Sequence, residues 1–170
     1  MNKVIKLVLF LAIVGGLAGF SVSYVNSITE PIIEENLVKL EKVNLEKMFP
    51  GAEFKPLDIK DDEGYILGAY EVEGVGKVVK FTAKGYNGSS PIIALVGFNN
   101  ENEIIDLLAL SMQETEGYGS RVFESENIEK LYIGKGLDQE VDLLSGATVT
   151  SKGMRSALTY IQKTLKEGGY

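Results

Sequence analysis

The sequence contains no cysteine and no histidine. Without cysteine there are no disulfides, no iron–sulfur ligation and no lipoprotein anchor, whose acyl chains sit on an N-terminal Cys. The two absences together remove thiolate catalysis, the Ser-His-Asp triad, ordinary haem ligation and almost every zinc site. Any redox chemistry must therefore be carried by an organic cofactor. Positive charge is short as well: 17 basic residues stand against 24 acidic ones, a net charge of −7. That is the wrong sign for neutralising phosphates, so no nucleic-acid partner is expected. A length of 170 residues allows one ordinary domain plus a small appendage. Glycine is abundant at 19 residues, about 11 % against a usual ~7 %.

Charge is missing altogether from Leu7 to Val25, a run of nineteen residues. As a helix this run would span roughly 28 Å, close to the hydrocarbon thickness of a bilayer. A cleaved signal peptide would have a shorter apolar region and small residues at an A-x-A-like spacing. An uncleaved anchor is the better expectation. Lys3 and Lys6 precede the span, and Glu30, Glu34 and Glu35 follow it. The basic flank should stay in the cytoplasm, which puts the rest of the chain outside the cell (inner) membrane. That remainder carries 15 basic and 24 acidic residues, a net charge of −9, and should not lie flat on anionic lipid. Within the span, Ala12 with Gly16 and Gly15 with Gly19 form small-xxx-small pairs that would let another helix approach, although glycine is common in membrane helices anyway.

The expected organisation is a transmembrane anchor over residues 1–26, a helical stalk over 27–50 and an outer domain over 51–170. Ile28 to Phe49 reads as a helix, with Thr29 as its cap, Pro31 in its first turn, and Ile32, Ile33, Leu37, Leu40 and Met48 at mostly helical spacing. Pro50-Gly51 ends it. The period then changes. Glu53–Ile59, Tyr65–Val72, Val75–Lys84, Ile92–Phe98 and Ile104–Leu110 read as strands separated by turn signals. Arg121–Tyr132 suits a short helix, and Glu140–Leu144 a further strand. A last helix comes after it, with Val149, Met154, Ala157, Leu158, Ile161 and Leu165 on one face. The order predicts an α+β domain with a largely antiparallel sheet and flanking helices.

The segment from Asp142 to Ser151, D-L-L-S-G-A-T-V-T-S, stands at the start of that helix. Its small residues let the backbone come close, and the first N–H groups of a helix have no internal partner and favour negative charge. Ser145, Thr148 and Thr150 add hydroxyls. The same residues would also serve as nothing more than a helix cap, and physical chemistry alone does not choose among the three hydroxyls.

The run D-L-L-S-G-A-T resembles the flavinylation motif of FMN-binding domains. This family includes the C subunit of the sodium-translocating NADH:quinone oxidoreductase and the G subunit of the Rnf complex. The resemblance implies a covalent FMN joined through its phosphate to the oxygen of Thr148, with Ser145, Gly146, Ala147 and Thr150 around it. Leu143 stands where the family often has a small residue. Gly85 to Ile92, G-Y-N-G-S-S-P-I, resembles the family's glycine-rich turn and brings in Tyr86 and Gly88. Gln113 to Gly119, Q-E-T-E-G-Y-G, resembles its E-T-P-G-L-G segment near the flavin. Glu114, Thr115, Gly117 and Gly119 match, while Glu116 replaces the proline, Tyr118 the leucine and Gln113 a common histidine. The N-terminal span and helix are similar to the G subunits of Rnf complexes. That likeness implies an electron-relay subunit of an ion-translocating ferredoxin:NAD oxidoreductase. Its expected partners are the other membrane subunits, one carrying a second covalent FMN, and a flavin transferase during maturation. The alternatives are a stand-alone extracytoplasmic FMN-binding module and a flavin-free, membrane-anchored binding or structural module. No metal and no catalytic acid–base pair are expected.

Overall fold

The structure is a computed structural model that describes residues 2–88, 90–136, 139 and 141–170. Ser89 of the glycine-rich segment and Glu140 of the expected last strand lie outside the described residues, as do the side chains of Ile33, Glu34 and Leu37. The chain divides into two units, Met1–Lys47 and Met48–Tyr170.

The first unit is helical. Helix α1 runs Lys3–Met48, its last residue already in the second unit. Its segment Lys3–Ile32 is long and apolar enough to cross a membrane, about 45 Å at the helical rise. Large side chains along it, Phe10, Leu17 and Val22 among them, are exposed. No fresh start is found at Thr29. The Thr29 hydroxyl donates instead to the carbonyls of Val25 (3.0 Å) and Asn26 (3.3 Å), as a mid-helix threonine does. Pro31 lies inside the helix. It removes one backbone donor, but the helical pattern on both sides carries the helix through.

The second unit contains β1 (Phe54–Pro56), β2 (Ile66–Val72), β3 (Gly76–Ala83), β4 (Ile92–Asn99) and β5 (Ile104–Ser111). They form an antiparallel meander in sequence order. β1 is shorter than the Glu53–Ile59 pattern suggests. It is an edge strand, and Pro56 has no N–H to extend the ladder. In the middle of the sheet Val79 pairs with Val96, Phe81 with Ala94 and Ala83 with Ile92. All six are buried, and the period of two sends them to one face.

A 3-10 helix, Gly119–Phe123, leads into α2 (Ser125–Leu131), and α3 (Thr148–Gly168) comes after them. α3 lays Met154, Ala157, Leu158, Ile161 and Leu165 into the core formed with that sheet face. Val149 is not on the buried face: it is 52 % exposed, because it lies half a turn around the helix from Leu158. Residues 141–144 form no strand. Val141 is buried and Leu144 packs on the core, so this apolar run anchors a loop, and the Leu144 N–H donates to Ser151 Oγ at 3.2 Å.

One close approach sets the position of α3. A Cβ on Gly153 would collide with the Lys84 carbonyl. The helix therefore sits against the chain just where β3 ends and the glycine-rich loop begins.

Candidate functional site

Three loops meet at the N-terminal end of α3: the one after β3, the one after β5, and the S-G-A-T turn. Glu114, just beyond β5, joins them. Its carboxylate accepts the backbone N–H groups of Tyr86 (3.2 Å) and Asn87 (3.3 Å) and the hydroxyl proton of Thr150 (2.6 Å). The last is a short, charge-assisted bond. Asn87 Nδ2 also donates to the Gln113 carbonyl at 3.1 Å. The carboxylate lies between two glycines: a Cβ on Gly85 or on Gly119 would run into it. These glycines are present for space. Gly117 is present for conformation, since its φ of +77° is a left-handed value and its Cβ position is open. It belongs to a turn in which the Thr115 carbonyl accepts the Tyr118 N–H at 3.1 Å and the Gly117 N–H donates to Ser120 Oγ at 3.0 Å.

Against this framework lies a cleft of about 510 Å³, lined by Tyr86, Thr115, Tyr118, Gly119, and residues 146–150. Small-molecule sites run from about 300 to 1,000 Å³. Tyr86 and Tyr118 present exposed rings there, at 72 % and 63 %.

The floor near α3 is polar for reasons of helix geometry. Gly146 takes a φ of +83°. Ala147 is the N-cap and makes no side-chain cap bond, so Thr148 is the first helical residue. The first intrahelical bond runs from the Ser151 N–H to the Ala147 carbonyl at 2.9 Å. The N–H groups of Thr148, Val149 and Thr150 precede it and have no helical acceptor.

The three hydroxyls that the sequence offers are not equivalent. Thr150 is 1 % exposed and its proton is committed to Glu114. Ser145 is exposed but does not line the cleft. Thr148 is exposed, lines the cleft, and its hydroxyl makes no hydrogen bond among the described residues.

Of the residues singled out from sequence, Tyr86, Thr115, Tyr118, Gly119, Gly146, Ala147, Thr148 and Thr150 come together on the cleft wall. Glu114 stands behind the wall and ties the loops together, while Gly88, Gly117 and Ser145 do not line it. Two neighbours of the S-G-A-T turn escape sequence reasoning. Val149, expected in the core, lines the cleft. Arg121 brings its Nη1 to 3.7 Å from the position of a Gly146 Cβ. A signal for Gly153 is available, because an isolated glycine inside a strong helical pattern marks a close approach.

FMN suits this site on three counts. The cleft has the required size, glycines keep its edges open, and free helix N–H groups with a free hydroxyl offer donors to a phosphoryl group. No curated protein compared with the chain matches it. Residues 85–163, a little under half of the chain, match the family model of the FMN-binding domain, and this stretch, which begins at the glycine-rich loop and holds all three site segments, is similar to that family.

Proposed function

We propose that this chain is a membrane-anchored electron-transfer subunit that carries FMN on the Thr148 oxygen and serves an Rnf-type ferredoxin:NAD oxidoreductase. When bound, the flavin supplies electron transfer. The chain's own residues hold and orient it. The observation that carries the reading is the Thr148 hydroxyl, free and exposed on the wall of a cleft that opens at a helix N-terminus. The N–H groups of Thr148, Val149 and Thr150 would donate to the phosphoryl oxygens, in the field of the helix dipole. Tyr86 and Tyr118 would cover the ring, and Glu114 would keep the two loops bearing them in register with α3. Nothing in this role needs an acid–base pair, which accords with a chain without histidine.

Rnf membership draws its support from the apolar N-terminal span and the helix that continues from it. In that setting the basic end lies in the cytoplasm and the flavin domain outside the cell membrane. The other membrane subunits, one with a second covalent FMN, are its electron partners, and a flavin transferase loads it. An anchored flavin cannot diffuse away where no cytoplasmic pool replaces it.

The deciding experiment is mass mapping of protein from its native membrane. The peptide that starts after Lys135 and ends at Lys152 should carry an FMN-sized adduct, localised by fragmentation to Thr148. Thr148→Ala should abolish covalent yellow colour while the fold survives. An adduct on Thr150 moves the site. An unmodified peptide from an active complex removes the reading.

A further inference from the structure

The chain has only two arginines. Arg155 bonds the Val141 carbonyl through Nη1 at 3.5 Å. Arg121, on the 3-10 helix, puts its guanidinium beside the S-G-A-T turn, where Nη1 is the nearest atom to the Gly146 Cβ position, at 3.7 Å. That guanidinium has no ion pair and no hydrogen bond among the described residues, in a chain with seven more acidic than basic side chains. Two residues after Gly146 α3 begins, and there Thr148, Val149 and Thr150 have N–H groups with no helical acceptor. A helix N-terminus carries partial positive charge and disfavours a cation. A partly buried arginine without a carboxylate, beside the turn that leads into that terminus, is poorly placed unless an anion joins the two.

We propose that Arg121 is the charge partner of the ligand's phosphoryl group. It acts as a positioning residue that draws this group to the S-G-A-T turn and so decides for a phosphorylated flavin over a neutral one. This rests on the flavin reading above and adds to it a selectivity that the attachment of Thr148 does not by itself require. Guanidinium geometry suits the role, because its planar fork meets phosphate oxygens in pairs. Lysine would meet them as a point charge and keep only part of the effect.

The test uses the full chain in detergent, expressed without a flavin transferase, and titrates it with FMN and with riboflavin, which differ only in the phosphate. Flavin fluorescence reads the binding. Wild type should prefer FMN by about tenfold or more, with a preference that shrinks as salt is raised. Arg121→Gln should remove most of this preference and Arg121→Lys should restore part of it, both variants keeping the wild-type circular dichroism and riboflavin affinity. A wild type that binds both flavins equally, or neither, overturns the role of Arg121, as does an Arg121→Gln variant that keeps the full preference. If Arg121→Gln does not fold, Arg121→Lys and the salt series decide by the same criteria. The mass mapping of Thr148 is independent: an unmodified Thr148 alongside an intact, Arg121-dependent preference for FMN defeats the covalent attachment and leaves the phosphate contact standing.

Discussion

Two carboxylates organise two corners of the second unit, and they do so over very different spans of chain. Asp61 works locally. Its oxygens accept the N–H groups of Glu63 (3.1 Å), Gly64 (3.0 Å) and Ile66 (2.6 Å), all within five residues. The turn also rests on α3, where the Tyr160 hydroxyl accepts the N–H groups of Asp62 and Glu63 and the Tyr160 ring packs on Tyr65. Glu114 works at long range, with partners 27, 28 and 36 residues away. The same chemistry makes a hairpin corner in one case and a candidate binding site in the other. A carboxylate that closes its own turn stabilises what the local sequence already favours, whereas one that ties three loops holds open a space that no single loop encloses.

The comparison breaks hardest at Gly153, which positions α3 for the Glu114 corner. Gly153→Ala sets a methyl group against the Lys84 backbone, which has no freedom to yield. A loss of about 3 kcal/mol or more is expected in denaturant unfolding, together with loss of flavin loading. Glu114→Ala comes next. It leaves the Thr150 hydroxyl without its acceptor and two loop N–H groups without theirs, for about 2–3 kcal/mol. Flavin loading should fall with it, and Gly119→Val should mimic it by evicting the carboxylate. If Glu114→Ala unfolds less readily than wild type, or loads flavin fully, the long-range role assigned to Glu114 is wrong.

Asp61→Asn should cost only about 1 kcal/mol and leave flavin loading untouched, which sharpens the contrast. Asp61 also gives the contrast a pH dependence. Desolvation is the largest influence on its carboxyl and pushes the pKa up. The Ile66 N–H, the Tyr160 hydroxyl and the N–H groups of Glu63 and Gly64 together outweigh it, so the pKa is held below the ordinary carboxylate value. A depressed folded-state pKa contributes stability that is complete above the unfolded value of about 4. That stability is lost as the pH falls through the lowered one. The difference in stability between wild type and Asp61→Asn should therefore shrink in acid. A difference that stays constant from pH 7 to pH 3 would contradict it. The smallest effect is expected at Gly117, where Ala meets no neighbour but must adopt a left-handed φ, at about 1 kcal/mol.

The same division explains what is legible in sequence. The strands from Tyr65 to Leu110 show in their alternation and turns, because sheet periodicity is local. The S-G-A-T turn is recognisable as a helix start for the same reason. Thr29 misleads because α1 begins at Lys3 and runs straight through it, and Val149 misleads because it lies half a turn around α3 from the core residue Leu158. Residues 141–144 read as a strand because a short, mostly apolar run looks alike whether it pairs in a sheet or anchors a loop. Glu114 is identifiable as a site residue by family likeness, but its bonds to Tyr86, Asn87 and Thr150 are not, since nothing near position 114 names partners so far along the chain. Arg121 is invisible for the same reason, its neighbour Gly146 lying on another loop.

The reach of Glu114 also fixes when the cleft can exist. Contacts between residues 27 to 36 apart close large loops, whose entropic cost falls before the contacts form. The β3–β4 and β4–β5 hairpins can pair early. The cleft has to wait until α3, which leaves the ribosome after every strand, docks on the finished sheet and delivers Thr150 to Glu114. The pocket is therefore among the final features to mature. Any catalyst that recognises it would act as an inspector of completed folding, and a chain stalled before α3 docks would pass through undecorated.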